Sequence, residues 1–265
     1  VKDRRGKKMS KSHPETMIDP LDMIPKYGTD ALRLAMLVGT SPGNDQRLYE
    51  EKIAGYRNFV NKIWNISRFT MMNIPASSQI KEPVAKTTAD RWILSRLSQL
   101  ITQTDYHLAD YRYSQAIEDL YDFTWHEFAD WYIESAKYEE NKADILVYAL
   151  TTLLRLFHPF IPFVTEYIWG LLAKHVKAED MLERPLIIAP WPQAETKYED
   201  KQAEEEFEKF KNLVAQIRNH QKENDIKLKD EIEINSSAAK DLSDELATVM
   251  EKLAKVTFST DGTKI

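Results

Sequence analysis

Residues 49–73 constrain this chain more than any other stretch. Phe59, Val60, Ile63, Trp64, Ile66 and Phe69 recur at three- and four-residue intervals, and Arg57, Asn58, Asn61, Lys62, Asn65 and Arg68 fill positions between them. An apolar stripe of that period covers one side of an α-helix and cannot line one face of a strand. At least one long helix with a buried side and a polar side is therefore required. Only seven glycines punctuate the 265 residues, too few for many short strands joined by tight turns. The fold class expected is mainly α, a helical bundle carrying a small C-terminal α/β appendage.

The rest of the chain supports that reading in order. Asp19-Pro20 offers an N-cap followed by proline at the first helical position, and Gly28 closes the helix. A compact apolar helix over 29–38 and a turn cluster over 40–45 come next. Thr87 with Asp90 forms a capping-box variant that opens a helix to about residue 108. Ser114 is expected to cap an aromatic-rich helix to about 138, and Asn141 with Asp144 to open another that ends at 157. Proline then breaks the chain at His158-Pro159-Phe160-Ile161-Pro162, since it removes a backbone donor and crowds the preceding turn. A further helix is expected over 163–174. Residues 185–192, bounded by prolines, read as extended chain crossing the bundle. Residues 200–222 form an amphipathic helix with Phe207, Phe210, Leu213, Val214 and Ile217 on one side. Alternation over 226–229 and 232–234, a helical stretch over 238–255 and an apolar run at 256–259 give strand, helix and strand. The parts expected are 1–45, 46–178 and 179–265.

Composition narrows the function. The net charge of −6 argues against a uniformly basic nucleic-acid binder, but its distribution is lopsided. Residues 1–100 carry 17 Lys and Arg against 10 Asp and Glu, while the remainder carries 19 against 32. A polyanion could dock on the first part and would be repelled by the second. The absence of cysteine removes disulfides and thiolate zinc sites, so no metal site is expected and a reducing cytoplasm is. No apolar run approaches ~20 residues, so no membrane contact is expected. The chain opens on Val1 rather than Met and is expected to be a piece of a longer protein.

Near its start stands Gly6-Lys7-Lys8-Met9-Ser10-Lys11-Ser12. Lysine ammonium groups on flexible stems, beside small hydroxyl residues, suit a polyphosphate that is gripped briefly and released. Lys8-Met9-Ser10-Lys11-Ser12 reads KMSKS and resembles the phosphate loop of the class I aminoacyl-tRNA synthetases. The segments Ile18-Asp19-Pro20-Leu21-Asp22 and Lys26-Tyr27-Gly28-Thr29-Asp30-Ala31-Leu32-Arg33 resemble the stretch C-terminal to that loop in members for branched aliphatic amino acids. Ser41-Pro42-Gly43-Asn44-Asp45, the run from Tyr56 to Phe69, the run from Phe123 to Tyr132 and the run from His158 to Glu166 look most like the valine-specific branch. The link after the loop, His13-Pro14-Glu15-Thr16-Met17, departs from the family in being one residue longer, stiffened by proline and more acidic.

The resemblance implies a division of labour. Lys8 and Lys11 would be the catalytic lysines, and Lys8, Met9, Ser10, Lys11 and Ser12 the ATP-binding loop. The helical bundle would grip the anticodon stem and loop of tRNA(Val), with Arg47, Arg57, Asn58, Asn61, Lys62, Asn65 and Arg68 as contacts. Arg and Lys suit phosphates, and amides suit the edges of unstacked bases. The full-length enzyme would use ATP and Mg2+ to activate valine and would act as a cytoplasmic monomer. These residues contain no His-x-Gly-His element, no Gly-rich strand–turn–helix start and nothing resembling an editing domain. The chain alone is therefore expected to bind neither ATP nor Mg2+ and not to catalyse, with its lysine loop mobile. Fragments of isoleucyl- or leucyl-tRNA synthetases share the loop and bundle, and a stand-alone RNA-binding or scaffold domain is the alternative from another class.

Other residues read as structural. Trp64, Trp92, Trp125, Trp131 and Trp169 at helical spacing are expected to be core or packing aromatics rather than base-stacking platforms. His126 and His158 are expected to be satisfied structural histidines. Asp130 and Glu134 are not expected to act as a catalytic pair, and Glu204-Glu205-Glu206 reads as a solvated face.

Overall fold

A computed structural model describes residues 1–10, 17–40, 43–75, 82–176, 184–227, 230–240 and 242–263. Its N-terminal helices turn a corner on a glycine. In α1 (Pro20–Tyr27) the Asp19 carboxylate accepts from the Leu21 N–H at 2.8 Å and Pro20 takes the first helical position. Gly28 ends the helix at φ 85°, a conformation that costs a residue with a Cβ, and α2 (Thr29–Leu37) leaves at an angle. Met23, Ala31, Leu32 and Ala35 close with Leu48 and Ile53 into a small core, against which Met9 and Ile18 pack. Leu34 and Val38 face the other way, into the main core. Through its two sides, α2 joins the N-terminal segment to the bundle.

Helix α3 (Glu50–Met72) buries Ile53, Phe59, Ile63 and Ile66 as the stripe requires. Helix α4 (Thr88–Ala109) is central and buried on nearly every side, and the Thr87/Asp90 capping box forms at its start. Ser114 does not cap the next helix, α5 (Tyr113–Asp122); Arg112 holds that position, and its side chain does not cap the helix. The Ser114 hydroxyl instead donates to Glu118 at 2.7 Å and accepts the Gly39 N–H at 2.8 Å, pinning α5 to the end of α2. The helix expected to continue as α to about 138 rewinds as a π-helix over Phe123–Tyr132 before a last turn, α6 (Ile133–Ala136). The wider winding brings Phe123 and Phe128, five residues apart, into a stack at 6.5 Å and 7°. Five α-helical steps would turn them roughly 140° apart.

Asn141 and Asp144 give α7 (Ala143–Phe157) no side-chain cap. Asn141 takes a left-handed φ of 59°, Lys142 holds the cap position, and Asp144 sits in the first turn, where its charge opposes the helix dipole favourably. Helix α8 (Pro162–His175) begins on proline and is capped from a distance. The Asp30 carboxylate of α2 accepts from the N–H groups of Phe163 at 3.3 Å and Val164 at 2.7 Å. One turn on, Arg33 donates to the carbonyls of Phe160 at 2.8 Å and Pro159 at 2.9 Å. An acid at the start of one helix and a base at the end of the preceding one lock α2 onto the α7–α8 junction.

The crossing segment is not wholly extended: it folds into a 3-10 turn at Leu186–Ile188. Helix α9 (Lys201–Glu223) then packs along α4, with Phe207 stacked on Trp92 at 3.8 Å and 10°. Only Glu205 of the acidic run is a solvated side chain. Glu204 accepts from Ser95 at 2.5 Å and Gln99 at 2.7 Å, and Glu206 accepts from the Ser243 N–H at 2.8 Å. Those acids pin α9 rather than face water, because burying them against donors satisfies them. Ile226 joins no strand; its N–H closes the end of α9 on the Gln221 carbonyl at 2.8 Å. Residues 228–229 lie outside the described residues.

The appendage pairs β1 (Ile232–Asn235) with β2 (Val256–Ser259) in parallel, Ile232 opposite Val256, through α10 (Asp244–Ala254). The helix expected from 238 starts only at Asp244, after a 3-10 turn over Ser236–Ala239. Ile234, Leu246, Met250 and Val256 join the same hydrophobic cluster as the bundle. Among the described residues no helix is long and apolar enough to cross a membrane.

Candidate nucleic-acid interface

The outer face of α3 presents Arg57, Asn58, Asn61, Asn65 and Arg68 to solvent. The same period that buries Phe59, Ile63 and Ile66 forces this, since residues between the apolar rows point away from the core. None of the five side chains has a hydrogen-bond or ion-pair partner among the described residues. Two guanidinium groups and three amides on one face therefore stay available to a ligand. The acids of α3, Glu50 and Glu51, lie in its first turn and are engaged elsewhere: Glu50 accepts from Tyr27 at 2.8 Å, and Glu51 pairs with Arg4 at 3.0 Å.

Lys62 differs from its neighbours. Its ammonium is half-buried, 3.0 Å from the Asp130 carboxylate and 4.8 Å from the centre of the Trp125 ring. Its charge is already partnered by an anion and an aromatic face. His126 stands exposed beside this pair, its Nδ1 3.6 Å from Asp130. It lies among aromatics, 6.3 Å from the Tyr121 ring and 6.5 Å from the Trp125 ring, though at the surface rather than inside the bundle. His158 is held inside, hydrogen-bonded to the Thr165 hydroxyl at 2.9 Å, and burial pushes its pKa down.

The lysine loop lies at the N-terminal end. Lys2 bridges Lys8 in antiparallel fashion and Arg47 in parallel, and the Met9 N–H donates to the Val1 carbonyl at 3.1 Å. Lys8 is exposed, Met9 packs on the small core and Ser10 is partly buried, so this half of the loop is anchored rather than loose. Lys11 and Ser12 lie outside the described residues, as does most of the long link after them. Arg47 is exposed, with its guanidinium running past Gly6, at a cleft of about 400 Å³ lined also by Arg4, Gly39, Asp45, Tyr49 and Lys52. Asp45 is held by Lys2 at 2.8 Å, and that hydrogen bond keeps its carboxyl below the ordinary range. Lys52 spends its ammonium on the Val38 carbonyl; burial lowers its pKa.

Of the tryptophans expected to be core or packing aromatics, Trp92 and Trp169 are buried in the core and Trp125 and Trp131 pack at its edge. Trp64 packs outside the core: it is 36% exposed and lies against Tyr167 of α8, ring centres 5.8 Å apart. Position 64 sits at the rim of the apolar stripe, where the outward face begins. The sequence carried a signal for this in Phe163, Tyr167, Gly170 and Lys174, which share one exposed stripe of α8 by their spacing.

The chain matches the family model for the anticodon-binding domain of tRNA ligase over residues 90–236 and that for tRNA synthetases class I (I, L, M and V) over residues 1–49. It is 39% identical over 241 residues to a valine–tRNA ligase of Dehalococcoides mccartyi, covering 89% of this chain and 27% of the relative. With a valine–tRNA ligase of Bacillus cereus it shares 40% identity over 230 residues, 83% of this chain and 25% of the relative. It thus spans about a quarter of the length of these relatives. Among solved structures, the agnB2 LeuRS of Agrobacterium radiobacter K84, in a ternary complex with tRNA and LeuAMS, superposes with a TM-score of 0.62. That match covers 75% of this chain and 23% of the other at 20% identity, a likeness of fold. With more than half of its residues under the first model, the chain belongs to the anticodon-binding domain family of the tRNA ligases.

Proposed function

We propose that the chain is the tRNA-holding portion of a valine–tRNA ligase, gripping the anticodon stem and loop of tRNA(Val) on the outer face of α3 and the turn at 45–47. The observation that carries this reading is the row Arg57, Asn58, Asn61, Asn65 and Arg68, exposed and without a partner among the described residues. Donors unpaired in the free protein can be recruited without breaking an internal hydrogen bond, and their mix of guanidinium and amide suits phosphates and unstacked base edges together. The identity with valine–tRNA ligases supports the choice of amino acid. In this reading residues 1–45 end the catalytic part, 46–178 hold the RNA and 179–265 brace the bundle.

The reaction of the whole ligase would be activation of valine with ATP and transfer to the terminal adenosine of the tRNA. Lys8 and Lys11 would meet the charge that builds on the phosphates in the transition state, where binding raises rate. Among the described residues no cluster of three His, Cys, Asp or Glu could hold a metal. In the whole ligase Mg2+ would accompany the ATP phosphates. The protein is read as a cytoplasmic monomer.

Binding of tRNA(Val) by this chain at several salt concentrations tests the RNA reading. Arg57→Ala and Arg68→Ala are each expected to weaken binding several-fold and to reduce the salt slope by about one. Lys62→Ala is expected to do less, because Asp130 already holds that ammonium. Unchanged affinity at low salt in all three variants would move the contact off α3. Charging assays on the full-length protein test the amino acid, and isoleucylation without valylation would overturn it.

A further inference from the structure

The outer stripe of α8 is unusual for a helix that otherwise buries its apolar residues. Tyr167 and Phe163 are each 62% exposed, one turn apart, and Trp64 leans on Tyr167 from α3. Large exposed aromatics gathered in one place mark an interaction surface more often than ordinary solvent exposure does. Next on the stripe stands Gly170, in the interior of α8. A glycine there weakens the helix by roughly 1 kcal/mol relative to alanine. Neither of its usual reasons applies: its φ is not positive, and a Cβ would meet nothing within 4 Å. The missing side chain leaves bare helix backbone one turn beyond Tyr167, open to close approach from outside. Lys174 stands one turn later, exposed and without a partner among the described residues.

The surroundings say what could approach. Across from this stripe, Asn61, Asn65 and Arg68 flank Trp64 on α3, again unpartnered among the described residues. Cations and amides around exposed rings match a ligand that is both aromatic and anionic. A protein side chain rarely combines the two, whereas a nucleotide of a single-stranded loop does: its base stacks while its phosphates meet Arg68 and Lys174.

We propose that Trp64 and Tyr167, with the bare backbone at Gly170, form a stacking platform for an unpaired base of bound RNA. This deepens the tRNA reading and rests on it. Stacking depends on the π-face of the base and neutralises no phosphate. Its loss should therefore lower affinity without changing the salt dependence, the reverse of the signature of an arginine.

The test uses the full chain with a tRNA(Val) transcript, its isolated anticodon stem-loop, and a blunt RNA duplex without unpaired bases. Trp64→Ala is expected to bind the transcript and stem-loop about tenfold more weakly at every salt concentration with unchanged slope, and Trp64→Phe to recover most of the loss. Gly170→Leu should weaken the stem-loop similarly while raising the melting temperature, since it improves the helix and fills the approach. Duplex affinity should not respond to any of them. Stem-loop RNA should also quench the part of the emission that Trp64→Phe removes. If Arg57→Ala and Arg68→Ala weaken binding while Trp64→Ala and Gly170→Leu do not, the platform is wrong and the tRNA reading stands. Equal losses for stem-loop and duplex, or a changed salt slope in Trp64→Ala, also overturn it. If the unmodified chain binds none of the RNAs, both readings fall; capture of a protein at Trp64 and Tyr167 in that case would assign the surface to another partner.

Discussion

Lys142 carries a charge into the interior, where its side chain keeps 4% of its exposure and that of Asp90 keeps 2%. The ammonium donates to Asp90 and to the Thr87 hydroxyl, each at 2.8 Å, and lies 3.1 Å from Glu139. Tyr132 donates its hydroxyl to the same Asp90 oxygen at 2.9 Å. Burial pushes the Glu139 carboxyl above its ordinary pKa, with Lys142 pulling the other way. Breaking such a cluster from one side strands the charge that remains, which costs more than the pair was worth. Lys142→Met is therefore expected to destabilise the chain by ~3–5 kcal/mol in urea unfolding. Pairing it with Asp90→Asn should recover part of that loss, and a single variant as stable as the unmodified chain would remove the cluster from the fold's essentials. The sequence showed the Thr87/Asp90 box, because a capping box is local. It could not show the lysine, which lies 52 residues away from the acid it satisfies.

The same divide between local and distant runs through the elements. The apolar period of α3, the Asp19-Pro20 start of α1 and the proline break before α8 depend on neighbours within a turn or two, and each is legible in the sequence. Ser114, Asn141 and the acidic run of α9 are not, and for Ser114 and Glu204 the reason is that their partners come from elsewhere: Gly39 for Ser114, Ser95 and Gln99 for Glu204. The outward amides of α3 are legible as a face, yet the pairing of Lys62 and the exposure of Trp64 depend on which helices lie alongside. Gly262 is a further case of distant control. A Cβ there would come within 2.4 Å of the Ile234 backbone, at the point where Thr263 donates to Glu233 at 3.0 Å and accepts from Asn235 at 2.9 Å. Backbone cannot swing aside as a flexible side chain can. Gly262→Ala should cost about 1–3 kcal/mol, as overpacking does, and should speed amide exchange in β1 and β2 before the bundle. Exchange unchanged in β1 would mean that the 260–263 turn contributes little to the sheet.

At the scale of the whole molecule, the uneven charge gives the RNA reading a direction. Arg57, Arg68 and Lys174 look outward on α3 and α8 without an acid partner among the described residues, whereas α10 carries Asp244 and Glu251 on its exposed surface. A polyanion approaching this field is drawn to the first side and repelled from the second, within a Debye length of about 10 Å at 0.1 M salt. Lysine acetylation of the chain, with and without tRNA(Val), reads that orientation directly. Bound RNA is expected to protect Lys174 strongly and Lys62 partly, since the latter is half-buried to begin with, while Lys252 on α10 stays fully reactive. Raising the salt should release the protection of Lys174 first, because an exposed ammonium at the rim is screened before a base is unstacked. Protection of Lys252 as well would mean that the acidic side does not repel RNA. The charge asymmetry would then reflect solubility rather than orientation.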